Sequence, residues 1–157
     1  MKKFTLSLKE QKYNYGAYAW VIFDKESNLA VKVFKKRNST EHARNVFKSE
    51  VKAYEIAMRQ DEIRSLVPLF HGEVHIDKLE NATETFHRDM AYAMSIEQDM
   101  FVKIGVIDSF ERTRITELFR KFGINYTKDA SVLLNDENEV VKIIDFATEE
   151  FELWHQE

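Results

Sequence analysis

The sequence predicts an α+β fold, and three observations carry that expectation. Short β-branched and alternating runs recur along both halves of the chain. One segment, 40–59, keeps apolar residues close to a helical period over its whole length. Near the end, a shorter amphipathic segment precedes two apolar runs that flank a turn rich in Asn and Asp.

Each element follows in order. Phe4 to Phe23 reads as two strands around a turn at Tyr15-Gly16. Asn28 to Phe34 alternates and is β-branched, so it is a strand. Thr40 to Arg59 carries Val46, Phe47, Val51, Tyr54 and Ala57-Met58 at helical spacing. Ser39 or Thr40 supplies its N-cap, and Glu41 adds favourable charge to the first turn. Leu66 to Ile76 is extended, interrupted by Pro68 and Gly72, and Asp77 to Thr85 is a polar loop. Phe86 to Ile96 is a further extended segment. Ser109 to Phe122 is a helix with Phe110, Ile115, Leu118, Phe119 and Phe122 on one face, stopped by Gly123. Val132 to Leu134 and Val140 to Ile144 form a hairpin across 135–139.

Composition narrows the function classes. A length of 157 residues suits one domain or two small lobes sharing a core. The 44% hydrophobic share, with 12 Phe, supports that core. A net charge of −4 argues against a nucleic-acid surface. No apolar run is long enough to span a membrane, and Met1 to Ser7 lacks the apolar stretch of a secretory signal. The absence of Cys removes disulfides, thiolate catalysis and Cys-zinc sites, and fits a cytoplasmic setting.

Four segments bear chemistry in a set order. Asn14 to Val21 places small residues, Gly16 and Ala19, in a strand-turn-strand where backbone amides can approach phosphates. Leu29-Ala30-Val31-Lys32 puts one Lys on an interior strand face. Glu50 lies in the long helix, 18 residues past Lys32, a separation that lets a strand Lys and a helix Glu pair. Ile143-Ile144-Asp145-Phe146-Ala147 ends a strand in Asp-Phe-small.

This ordered set, from about Tyr13 to Ala147, resembles the eukaryotic-type protein kinases, with their Gly-rich loop, V-A-I-K, helix Glu and D-F-G. In length, and in stopping soon after the Asp-Phe motif, the chain is similar to the minimal, truncated kinase-like effectors of enteric bacteria. The resemblance implies a single kinase-like domain. An N-lobe with a complete antiparallel sheet and one αC-type helix, plus the hinge, would fill about 1–99. A minimal C-lobe of one helix and a hairpin would fill about 100–157. It further implies that Gly16, Ala19, Val21 and Ala30 line a nucleotide site, and that Lys32 holds the α- and β-phosphates and pairs with Glu50. Ile96 would back the adenine pocket, Glu97 and Asp99 would belong to the hinge, and Asp145 would bind Mg2+. Some members of that group bind ubiquitin-loaded conjugating enzymes, so a protein partner and injection into a host cell are implied by analogy alone.

The catalytic loop departs from the pattern. H-R-D-x-x-x-x-N should end just before the hairpin, which puts the Asn at Ser131 or Val132 and the Asp at Tyr126 or Thr127. Neither register supplies them. Asp129 serves as base only if the loop is rebuilt. The expectation is therefore a pseudokinase-like binding or regulatory module with weak ATP and Mg2+ binding. The alternatives are an active minimal Ser/Thr-type kinase using Asp129, and a scaffold with no nucleotide role.

Other signals have blander readings. His87-Arg88-Asp89 precedes the presumed hinge and reads as an exposed polar strand edge. His71 and His75 lie about 13 Å apart on an extended chain, too far for a metal pair. The Lys32 to Arg37 run is a strand end with solvated charges, and Trp20 is a core residue.

Overall fold

Among the described residues, nine strands and three helices are wired in a mixed order. They are β1 (Lys3–Ser7), β2 (Tyr13–Tyr15), β3 (Ala19–Asp24), β4 (Leu29–Lys35), α1 (Thr40–Arg59), α2 (Asp61–Arg64), β5 (Phe70–Glu80), β6 (Phe86–Ser95), β7 (Val102–Lys103), α3 (Ser109–Arg120), β8 (Ser131–Leu134) and β9 (Val140–Ile144). A single 3-10 turn, Ile104–Val106, precedes α3. The structure, a computed structural model, describes residues 1–37, 39–97 and 100–151. The fold is α+β. It divides into two units, 1–48 with 71–96 and 151–157, and 49–70 with 97–150.

The first unit is built on a six-stranded sheet ordered β1-β5-β6-β4-β3-β2. Strands β1 and β2 follow one another in sequence yet stand at opposite edges. Across a flat sheet the edges would be five spacings apart, about 24 Å. Only six residue steps join Ser7 to Tyr13, which reach about 21 Å at full extension. That link is also folded into a turn, with Gln11 N–H donating to Ser7 O at 3.0 Å and Ser7 Oγ accepting from the N–H groups of Lys9 and Glu10 at 3.2 Å each. The sheet must therefore curl. Its concave face gathers Phe4, Leu6, Leu8, Trp20, Ile22, Val31, Val33, Val74, Ile76, Leu79, Ala91 and Ala93 into one core. Trp20 is fully buried there.

Three expectations need correction. The sheet is mixed, not antiparallel, because β1 runs parallel to β5 while β4 pairs antiparallel with β3 and β6. The stretch from Phe4 to Phe23 holds three strands, not two, because the Ser7–Lys12 turn interrupts the part before Gly16. The polar stretch Asp77–Glu80 continues β5 instead of forming a loop. A bulge explains the misleading pattern: Phe4 pairs with Ile76 but Thr5 with Lys78, so Asp77 is the extra residue. The bulge flips the phase of alternation, and core residues fall at Val74, Ile76 and then Leu79.

Helix α1 begins at Ser39, whose Oγ accepts the His42 N–H at 3.1 Å. Its Phe47 ring meets Phe34 edge-on at 5.5 Å and Tyr92 at 6.4 Å, so the first turns of this helix pack on the convex face of the sheet.

In the second unit, α3 starts at Asp108, whose carboxylate accepts from Phe110 N–H and Glu111 N–H. Its buried face is Glu111, Ile115 and Phe119, and Phe110 is 81% exposed, which corrects the expected apolar stripe. The position nearest the core is taken by Glu111 because its carboxylate accepts the Val140 N–H at 2.7 Å and so fixes the start of β9. The helix closes at Gly123 (φ +87), with Ile124 N–H donating to Phe119 O at 3.1 Å. The hairpin turn is closed by Asn135, whose Oδ1 accepts from Glu137 N–H and Glu139 N–H at 2.9 Å each, and Asn138 takes the left-handed conformation (φ 61).

Gly123 tests whether backbone conformation ends α3. Gly123→Ala is expected to lower unfolding free energy by about 1 kcal/mol through its positive φ, although open space surrounds the new methyl group. Gly105, also in open space but without positive φ, should tolerate Ala within about 0.5 kcal/mol. Urea denaturation of both variants compares them, and equal losses would contradict the assignment.

Candidate functional site

Strand pairing sets the geometry in the first unit. Val21 lies opposite Lys32, Ala19 opposite Phe34, and Tyr92 opposite Lys32 on the other side. Side chains alternate along strands, so Ala19, Val21, Ala30 and Lys32 share the convex face, away from the core residues Trp20, Val31 and Val33. Lys32 is 9% exposed, and its Nζ sits 5.4 Å from the Phe34 ring centroid. Ile96 follows the end of β6 and is partly buried.

The turn from Gly16 to Tyr18 is held by a lysine that the motif reading did not single out. Lys35 has a fully buried side chain, and its Nζ donates to Gly16 O at 2.6 Å and pairs with Glu84 Oε2 at 3.1 Å. The ammonium lies 3.3 Å from the centroid of Tyr15 and 5.0 Å from that of Trp20. Lys35 N–H donates to Tyr18 O at 2.8 Å. Glu84 is held below the usual carboxylate range, first by the Tyr15 hydroxyl (2.7 Å) and then by Lys35. Gly16 is needed for close approach, since a Cβ there would lie 3.1 Å from Ala19 O. A sequence signal for Lys35 existed: alternation places it on the inward face with Val31 and Val33.

The second unit carries Asp145. It follows the last residue of β9 and takes φ 64, whereas the other non-glycine residues with positive φ are all Asn. An Asp in this region costs on the order of 1 kcal/mol, so the surroundings must impose it. They do so on both sides. Before it, Ile143 N–H donates to Leu66 O at 2.8 Å. After it, Phe146 is 1% exposed, with its ring 4.5 Å from Tyr54 and 5.5 Å from Phe119. Ala147 then exchanges two 3.0 Å hydrogen bonds with Tyr126. Ser49 on α1 ties down the continuation, with Oγ 3.0 Å from Thr148 Oγ1 and accepting the Glu149 N–H at 3.1 Å.

The segment facing Asp145 is short and paired at both ends. Tyr126 is paired with Ala147, and Ser131 already pairs with Lys103 and Ile144. Only Thr127 to Ala130 lie between, closed by Ala130 N–H to Thr127 O at 3.0 Å. Positions 126 and 131 lie five apart, as do 127 and 132, so the spacing is present, but these positions hold Tyr, Ser, Thr and Val instead of an Asp and an Asn. Val132 is fully buried in the strand. Asp129 is exposed, and its carboxylate accepts the Tyr126 hydroxyl.

The structure thus brings Ala19, Val21, Ala30 and Lys32 onto one sheet face, with the Gly16 turn beyond Ala19. Glu50 (8% exposed), Glu97, Asp129 and Asp145 belong to the second unit. Asp99 lies outside the described residues, as does the tail beyond Phe151. Among the described residues, no three His, Asp or Glu side chains gather as a metal-ligand set.

Arg88 and Asp89 are exposed as expected, but His87 is buried and the triplet does not lie on an edge strand. Strand β6 lies between β5 and β4, and the register passes from Lys35↔Phe86 to Val33↔Ala91, so the triplet bulges out of the ladder. His87 is 7% exposed, and burial lowers its pKa. Arg88 Nη1 donates to the carbonyls of Ile76 (3.1 Å) and Asp77. His71 and His75 engage Ser95 (3.2 Å) and Asp77 (3.7 Å) separately.

No family model, no curated protein and no solved structure matches this chain. No helix among the described residues is long and apolar enough to cross a membrane.

Glu111 gives the second unit a defined pH response. Arg114, donating at 2.7 and 2.6 Å, is the main cause that holds its carboxyl below the ordinary 4.5, and the Val140 N–H adds to it. A depressed folded pKa means the contact stabilises the protein above the unfolded value and is lost as pH falls through the folded one. Glu111→Gln is therefore expected to cost about 2 kcal/mol at neutral pH. The variant should also flatten the stability change between about pH 5 and pH 3. Denaturation midpoints across that range check it, and an unchanged acid slope would count against the role.

Proposed function

We propose that the chain is a kinase-like binding module that retains a weak nucleotide and Mg2+ anchor and acts through a protein partner, without phosphotransfer. The observation that carries this reading is the contrast around Asp145. Its backbone is held in a costly conformation by Phe146 and the Tyr126–Ala147 pair. The segment opposite carries Tyr126 and Ser131, or Thr127 and Val132, at the two positions where a catalytic Asp and a second metal ligand would stand. An acidic residue kept in the left-handed region beside a segment without those two residues suits metal-side binding better than catalysis. In the first unit, Lys32 on the convex face is the candidate phosphate ligand, and Gly16, Ala19, Val21 and Ala30 are the small or aliphatic surroundings a nucleotide would need. Asp129 is a poor base in this reading because its carboxylate is engaged by Tyr126.

The protein-partner half rests on exposed apolar side chains in the second unit. Met100 is 87% exposed, Val106 76% and Phe110 81%, all between 100 and 110. Conjugating enzymes of the ubiquitin pathway enter only through the family resemblance.

Two outcomes are expected. Incubation with labelled ATP and Mg2+, alone and with a generic protein substrate, should give no incorporation above that of Asp145→Ala. Label that requires both Asp145 and Asp129 would overturn the reading in favour of an active minimal kinase. Phe110→Ser should leave unfolding free energy within about 0.5 kcal/mol of the parent, since an exposed ring holds no core together. A loss of core size would remove Phe110 from the candidate contact residues.

A further inference from the structure

Beyond that reading, the first unit carries a second basic feature at the β5–β6 turn. A solvent-open depression of about 480 Å³ is lined by Lys36, Thr83, Glu84, Thr85, Phe86 and Arg88. Its charge is uneven. Glu84, the carboxylate in the wall, is already claimed by Lys35, Tyr15 and Arg37, the last at 3.7 Å. Lys36 has no partner for its ammonium among the described residues, while its N–H, bonded to Thr85 O at 3.0 Å, fixes its strand against the turn. Arg88 is positioned by two backbone carbonyls through Nη1 alone, with its guanidinium 5.5 Å from the Phe86 ring. Phe86 in turn packs against the core, so the floor is fixed. The depression therefore combines an unclaimed ammonium, an anchored guanidinium with further donors, two threonine hydroxyls and a neutralised carboxylate. In a chain of net charge −4, this is a local concentration of positive charge.

We propose that this depression binds a phosphate-type oxyanion, either free phosphate or the head of a phosphate ester. Lys36 supplies the point charge, Arg88 the planar donors and Thr83 and Thr85 the hydroxyls. Phe86 offers an apolar wall to whatever an ester carries. The site is independent of Lys32 and Asp145, so its failure would leave the nucleotide reading standing.

The test is a titration of isotope-labelled full chain with inorganic phosphate and, separately, O-phosphoserine, each against sodium chloride of matched ionic strength. Saturable amide shifts are expected at Lys36 and 83–88 for both probes. Lys36→Gln, an exposed change that should leave the melting temperature unaltered, is expected to weaken binding at least about fivefold. Arg88→Lys, which keeps charge but loses the planar fork, should weaken it as well. Tighter binding of phosphoserine identifies an ester as the ligand, and equal binding identifies the anion alone. The absence of saturable shifts at about 50 mM phosphate, or identical shifts in Lys36→Gln, would overturn the proposal.

Discussion

The link from Ser7 to Tyr13 is the constraint on which the first unit depends. It is shorter than the width of the flat sheet it would have to cross, so the sheet closes around its own core. Closure leaves the outer face of β3, β4 and β6 for α1 and for Lys32. It also brings the edge strands β1 and β2 toward each other. Gln11 secures the same link from its other side, with its side-chain amide donating to Asp24 at 2.9 Å. The curl, the placement of Lys32 on the convex face and the burial of Lys35 at the rim all follow from that one short connection.

In the second unit the corresponding constraint is the burial of Phe146. Its ring sits among Tyr54 and Phe119, and Tyr54 stacks on Phe70 at 5.2 Å. With Phe146 inward, the residue before it takes a left-handed conformation that L residues other than Asn and Asp rarely adopt. Asp145 is thereby presented in one orientation, with α1 fixed to the chain that follows through Ser49. The same pairing that follows Phe146 limits the opposing turn to four residues. The position of Asp145 and the length of the opposing segment are thus two consequences of one local arrangement.

Much of the architecture was legible in the residues. Helical spacing from Val46 to Met58 located α1, Gly123 located the end of α3, and Asn135 with Asn138 located the hairpin turn. What escaped was whatever depends on pairing partners. The parallel β1–β5 contact joins residues about seventy positions apart, and nothing local announces it. The bulge at Asp77 reversed the alternation and made strand residues resemble a loop. Glu111 took a core position because a backbone N–H of β9 needed an acceptor, and no pattern of hydrophobicity encodes that. The candidate site was readable as an ordered set of residue types. In the first unit, alternation with Val31 and Val33 hinted at the inward placement of Lys35; in the second, nothing local pointed to Ser49, whose partners are distant in sequence.

The central claim, a nucleotide anchor without phosphotransfer, is tested most directly by equilibrium melting with Mg-ADP. At tenfold excess over the dissociation constant, ligand binding to the folded state adds about 1.4 kcal/mol. That corresponds to a rise of roughly 3–5 °C for a chain of this size. The account predicts such a saturable rise for the native protein, dependent on Mg2+ and absent from Asp145→Ala and Lys32→Ala. No rise at saturating nucleotide, or an equal rise in both variants, would contradict it.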